Sequence, residues 1–196
     1  MHSDMFRYVW KVYLLRREEG GSLSGKYANV PFGYEPVAPS RKGTLIFYDS
    51  FQNVTDEQLE RAAAIMNARA FKQLVLYPLH ESTVKRMSRD AVHSFYKRED
   101  RLHEWRRDHA SVPIRVEGLE GKRKKYTPID TALRHIQSEY PAPLFLYMTV
   151  EMANQWASFD SFTDWIKELR LIIDGQPEEM HPRLEQYRHR WEWAEE

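Results

Sequence analysis

The chain contains no cysteine. Disulfides, thiolate metal sites, iron–sulfur clusters and cysteine nucleophiles are therefore excluded. It carries no net charge, with 29 Lys and Arg against 29 Asp and Glu, so bulk attraction to a polyanion gives no guide to partners. No apolar run approaches the roughly 20 residues that span a bilayer. The opening MHSDMFRYVW places Asp4 and Arg7 where a leader requires unbroken apolar sequence. We therefore expect a cytoplasmic protein with no membrane partner.

Familiar catalytic signatures are missing as well. There is no GxGxxG after a strand, no GxSxG elbow and no HxGH cluster in the turn after the first strand. His103-Glu104 begins like a metalloprotease HExxH, but Arg107 stands in the second histidine's place. Gly20–Lys26 (GGSLSGK) fits GxxxxGK, yet Tyr27 replaces the magnesium-binding hydroxyl residue. Pro31, Gly33 and Pro36 then leave no room for the helix that such a phosphate loop needs. No motif assigns the chain to a family, implies a cofactor or defines a metal site.

What is present is an alternating pattern. Thr44–Tyr48 and Gln73–Tyr77 are short apolar runs that read as buried strands, and Pro113–Glu117 and Leu144–Met148 read as a third and a fourth strand. Between them lie helical periodicities with recognisable starts. Thr55 and Gln58 form a capping box ahead of Leu59, Ala62, Ala63 and Met66. Ser82 is expected to cap a helix within His80–Met87, and Phe95, Leu102 and Trp105 mark the inner face of one over Val92–His109. Thr127, Pro128 and Asp130 suggest a capped start for Thr127–Tyr140. Phe162, Ile166, Leu169 and Ile173 repeat at helical spacing.

Strand–helix alternation predicts an α/β protein: three layers, with a mostly parallel, Rossmann-like sheet of four or five strands and helices on both faces. Residues 44–175 would form this core. Residues 1–43 would supply a strand or helix at Met5–Leu15 and a Gly/Pro-rich arm, and residues 176–196 a linker and a helical tail over Pro182–Trp193.

In such a sheet, ligands bind beyond the carboxyl ends of the strands. That rule selects Asp49 and Ser50, then His80 and Glu81, then Glu117 to Lys125, whose basic run Lys122, Arg123, Lys124 and Lys125 leads to Thr127, and finally Thr149 and Glu151. Asp49 suits a sugar hydroxyl or a metal. His80 beside Glu81 suits proton transfer. Four cations ahead of a helix start suit phosphate.

Two functions fit. One is a protein that binds a phosphorylated small molecule or nucleotide across the strand ends, with phosphoryl or nucleotidyl transfer as the chemistry and Asp49, His80 and Glu81 as its catalytic groups. The other is a non-catalytic interaction module that uses the arm and the aromatic tail. Specific nucleic-acid binding is not expected, since no recognition module appears. A homodimer is expected from two features. One is the six tryptophans. The other is charge segregation: 13 basic against 7 acidic residues over 82–126, and 6 against 13 over 127–196.

Overall fold

The computed structural model describes residues 41, 43–88, 91–175 and 179–195. The expected element at Met5–Leu15, the GxxxxGK segment and nearly all of the arm lie outside the described residues.

The apolar runs do form strands: β1 at Thr44–Asp49, β2 at Gln73–Pro78, β3 at Ile114–Val116 and β4 at Leu144–Thr149. Two more join them, β5 at Arg170–Asp174 and β6 at Trp191–Trp193. All six belong to one sheet in the order β3-β2-β1-β4-β5-β6, and every pairing is parallel. The sheet is thus larger than the four or five strands expected.

Alternate residues along each strand feed opposite faces. Leu45, Phe47, Leu74, Leu76, Tyr147 and Ile172 face helices α1 (Asp56–Ala68) and, later in the chain, the one at Phe95–Asp108. Ile46, Tyr48, Val75, Tyr77, Leu146 and Met148 pack into a larger core on the other face. Between β2 and β3 lie α2 (Glu81–Met87) and α3 (Phe95–Asp108). Between β3 and β4 lie α4 (Leu119–Arg123) and α5 (Ile129–Glu139). Helices α6 (Val150–Ala157) and α7 (Phe162–Glu168) connect β4 to β5, and α8 (Pro182–Gln186) with a 3-10 turn at Arg188–Arg190 leads to β6. Core residues come from α2 and α5 to α8 on the larger side and from α1 and α3 on the smaller one. This is the three-layer α/β arrangement.

Local chemistry explains most boundaries. The Thr55–Gln58 capping box forms as expected, with Gln58 N–H donating to Thr55 Oγ1 (3.3 Å) and Thr55 N–H donating to Gln58 Oε1 (3.0 Å). At β1 the chain enters through Gly43 at φ +74°, where a Cβ would sit 2.3 Å from the Pro143 carbonyl oxygen. Only glycine fits there.

Four local expectations are corrected. Helix α7 stops at Glu168, and the following RLIID is strand, because the apolar run Leu171–Ile173, with two β-branched residues beside β4, gains more from pairing than from extending the stripe. The tail holds one short helix before β6, so Trp191 and Trp193 extend the sheet instead of a helix. His80, not Ser82, caps α2, through Nδ1 accepting the Ser82 N–H at 3.1 Å. Helix α5 begins at Ile129 with no side-chain cap; Thr127 is fully buried instead, its N–H donating to Thr83 Oγ1 (3.1 Å).

The expected surplus of aromatics is mostly absorbed inside. Trp105, Trp156, Trp165 and Trp191 are buried, and Tyr96 and Tyr126 are the exposed large hydrophobics among the described residues. No helix among the described residues is long and apolar enough to cross a membrane.

Candidate functional site

The strand order puts the topological switch point between β1 and β4. From β1 the chain moves outward through β2 and β3, then returns to β4 on the other side. Helices leaving neighbouring strands in opposite directions open a crevice at their carboxyl ends, the usual binding place in this architecture. Asp49 ends β1 and Thr149 ends β4.

The two are joined directly. Thr149 Oγ1 donates to Asp49 Oδ2 at 2.9 Å, while Asp49 Oδ1 accepts the Phe51 N–H (3.1 Å) and the Ser50 hydroxyl (3.2 Å). Phe51 takes φ +56°, which turns the chain sharply after the strand. Asp49 is buried. Its burial raises the carboxyl above its ordinary pKa, against the opposing hydrogen bonds from Phe51, Thr149 and Ser50. Thr149 also caps α6, accepting the Met152 N–H at 3.4 Å.

Around this link lies a cleft of about 390 Å³. Its polar lining consists of the carboxylates of Asp49 and Glu151, the amides of Gln52, Asn53, Gln58 and Gln155, and the hydroxyls of Ser50, Ser88 and Thr149. Val54, Leu79, Val84 and Met152 are among its apolar lining. Gln58 is pinned twice, accepting the Thr55 N–H and donating through Nε2 to Asp174 Oδ2 (3.0 Å). Asp174, at the end of β5, also accepts Arg61 Nε at 2.8 Å.

Two walls of the cleft are laced together from behind. Buried Arg98 on α3 donates through Nε to the His93 carbonyl (3.0 Å) and through Nη1 to the Ser50 carbonyl. His93 N–H donates in turn to Gln52 Oε1 (2.7 Å).

Of the residues selected from sequence, Asp49, Ser50, Thr149 and Glu151 therefore meet in one cleft. His80 and Glu81 do not line it. Their side chains approach each other, Nε2 to Oε2 at 3.2 Å, with His80 beside the Phe95 ring. Since Nδ1 accepts the Ser82 N–H, the neutral ring carries its proton on Nε2, facing Glu81. Burial acts upward on the Glu81 carboxyl. The N–H groups of Glu81 and Phe95 and the charges of His80 and Arg98 outweigh it and hold the group below its usual range.

The basic run also lies apart from the cleft. Lys122 and Arg123 end α4, Lys124 adopts φ +52°, and Lys122, Lys124 and Lys125 are exposed. The four cations do not lead directly into the first turn of α5, as the sequence suggested. They are separated from it by exposed Tyr126, buried Thr127 and Pro128. Among the described residues, no group of three or more His, Asp or Glu side chains is arranged to hold a metal ion.

A second polar centre lies within the span selected after β3, on two acids whose burial the sequence does not announce. Glu120 is buried beneath α2, its Oε2 accepting the His80 N–H (2.6 Å) and the Thr83 hydroxyl (2.7 Å). Its burial pushes the carboxyl up to about 7, partly countered by those two bonds and by Arg123 and Arg98. Glu117, also buried, accepts from the Tyr140 hydroxyl and the Leu119 N–H (3.0 Å). In EGLEGKR neither Glu117 nor Glu120 carries a motif that marks it for burial. The only hint was Gly121, whose missing side chain lets α4 close onto Phe95.

Compared with known protein families and with curated proteins, the chain matches none.

Proposed function

We propose that the protein binds a nucleotide, or a phosphorylated small molecule of similar polarity, in the cleft at the switch point between β1 and β4. The observation that carries this reading is the Asp49–Thr149 link. It fixes the two strand ends whose divergence opens the cleft, and it places hydroxyls, amides and a carboxylate around one volume. That volume lies within the range of small-molecule sites.

The donors and acceptors in the lining favour the sugar and ring of such a ligand. Ser50, Gln155 and Glu151 face it, and Val54, Leu79 and Met152 offer apolar contact. A phosphate group would project past α2 toward the basic segment. There Arg86 stacks over Tyr126 (5.6 Å), next to Lys124 and Lys125 in sequence. His80 and Glu81 remain the acid–base pair of the reading, and their role is proton transfer at that outer end. Buried Trp191 and the incorporation of β6 into the sheet favour this ligand-binding account over an interaction module built on a free aromatic tail.

Thermal shift with a panel of ribonucleosides, ribonucleotides and sugar phosphates tests the proposal. A ligand at 100 times its Kd stabilises by about 2.7 kcal/mol. We expect a shift with at least one member, lost in Gln155→Ala with Glu151→Ala and reduced in Lys124→Ala with Lys125→Ala. No shift with any member overturns the reading.

A further inference from the structure

We propose that Arg98 is a positioning residue of the switch-point cleft, holding two of its walls at a fixed separation without touching the ligand. The inference rests on the cleft being the binding site, but its geometry stands by itself. One guanidinium reaches the carbonyl of Ser50, in the turn after β1, and that of His93, next to the cleft-lining residues Ala91 and Val92. The Gln52–His93 bond closes the circuit, so Ser50, Gln52, His93 and Arg98 form a ring of hydrogen bonds. Each bond joins main chain to side chain, so the backbone of both walls is held by the buried Arg98 side chain on one side and by the Gln52–His93 bond at the surface.

The form of the side chain matters. A guanidinium presents donors in a rigid planar fork and spans two carbonyls at once, whereas an ammonium is a single point. Arg98 is 3% exposed, and its Nη2 has no hydrogen-bond partner among the described residues. Burying a cation with a donor unused is unfavourable unless surrounding charge compensates. Glu81, Glu120 and Asp49 supply that charge and act on it together. A residue needed only to fill the space would be an aliphatic one.

The test compares Arg98→Met, Arg98→Lys and Leu102→Ala. Leu102 is fully buried on the same helix and packs in the α1/α3 core, so its truncation destabilises without cutting the ring. Amide hydrogen exchange of the ligand-free proteins is read at Phe51, Gln52 and His93, together with the affinity for the ribonucleotide that gives the largest thermal shift. In Arg98→Met we expect exchange at those three amides to rise about tenfold beyond that in Leu102→Ala, with affinity falling at least about tenfold. Arg98→Lys should fall between, and Leu102→Ala should keep wild-type affinity. Exchange that rises no more in Arg98→Met than in Leu102→Ala overturns the proposal, as does faster exchange with unchanged affinity. If the wild type binds no member of the nucleoside, nucleotide and sugar-phosphate panel, the cleft reading fails, and the exchange data still decide whether Arg98 sets the walls.

Discussion

Thr149 Oγ1 donates a 2.9 Å hydrogen bond to Asp49 Oδ2, across 100 residues of sequence and between adjacent parallel strands. The same hydroxyl oxygen accepts the Met152 N–H at the start of α6. Thr149→Val keeps the shape and removes both bonds. The cap contributes about 1 kcal/mol, and a buried carboxylate oxygen left without its donor costs a further 1–3 kcal/mol, roughly. We expect Thr149→Val to lose about 2–4 kcal/mol in chemical denaturation and Thr149→Ser to lose less than about 1 kcal/mol. Equal losses would show that the methyl group, not the hydroxyl, is what matters.

Glu120 predicts how stability varies with pH. Its carboxyl titrates near 7 when folded and near 4.5 when not. Between those values the folded protein holds a proton that the unfolded chain has released. Stability therefore falls as pH rises through this window and levels off above it. The full effect is about 3 kcal/mol. Burial raises Asp49 too, in the same sense but from a lower starting value, and Glu81 is shifted oppositely. Glu120→Gln isolates the contribution of Glu120: relative to wild type, its stability should gain steadily from pH 4.5 to pH 7 and then run parallel. Parallel curves throughout would refute the assignment.

Gly121 tests how tightly α4 seats over the buried acids. A Cβ there would lie 2.4 Å from Phe95 Cε1, so Gly121→Ala must displace either the ring or the helix. Overpacking of this kind costs about 1–3 kcal/mol. Because Phe95 also lies against His80, the His80 ring resonances should move in an NMR spectrum of the variant. Wild-type stability with unmoved His80 signals would contradict the packing described.

Arg61 and Asp174 form a half-open pair, the guanidinium 38% exposed and the carboxylate 1%. Arg61→Met leaves Asp174 with Gln58 as its remaining hydrogen-bond donor from α1. Allowing for solvent around Arg61, the expected loss is about 1–2 kcal/mol. A double-mutant cycle with Asp174→Asn should return a coupling of similar size. No coupling would mean that the Gln58 hydrogen bond alone holds the buried carboxylate.

Much of the architecture was legible because the strands announce themselves. TLIFY, QLVLY and LFLYM are continuous apolar runs, each near one strand in length, and Thr55–Gln58 is a complete capping box. Where two patterns competed, the local one misled. Leu169 and Ile173 continue the stripe of Phe162 and Ile166, yet the sheet claims residues 170–174 because β4 offers a partner edge. Thr127 resembles a cap, but tertiary packing against Thr83 draws it inside.

The site was legible only as positions along the sheet edge. Asp49 and Thr149 stand at the strand ends that the topology joins, so placing the strands was enough to select them. Arg98 and Gln155 carry no sequence signal, since their importance comes from contacts across 48 residues or from a helix face turned to the cleft. The basic run was the most conspicuous local feature, and it lies apart from the lining because α4 carries Lys122 and Arg123 away from the start of α5.

Backbone and side-chain amide spectra of the full chain, recorded while a ribonucleotide is added, test the central claim most directly. We predict saturable shifts at Ser50, Gln52, Gln155 and Met152, with smaller ones over residues 124–126. Shifts confined to the basic segment, or spread evenly over the surface without saturation, would contradict binding at the switch point.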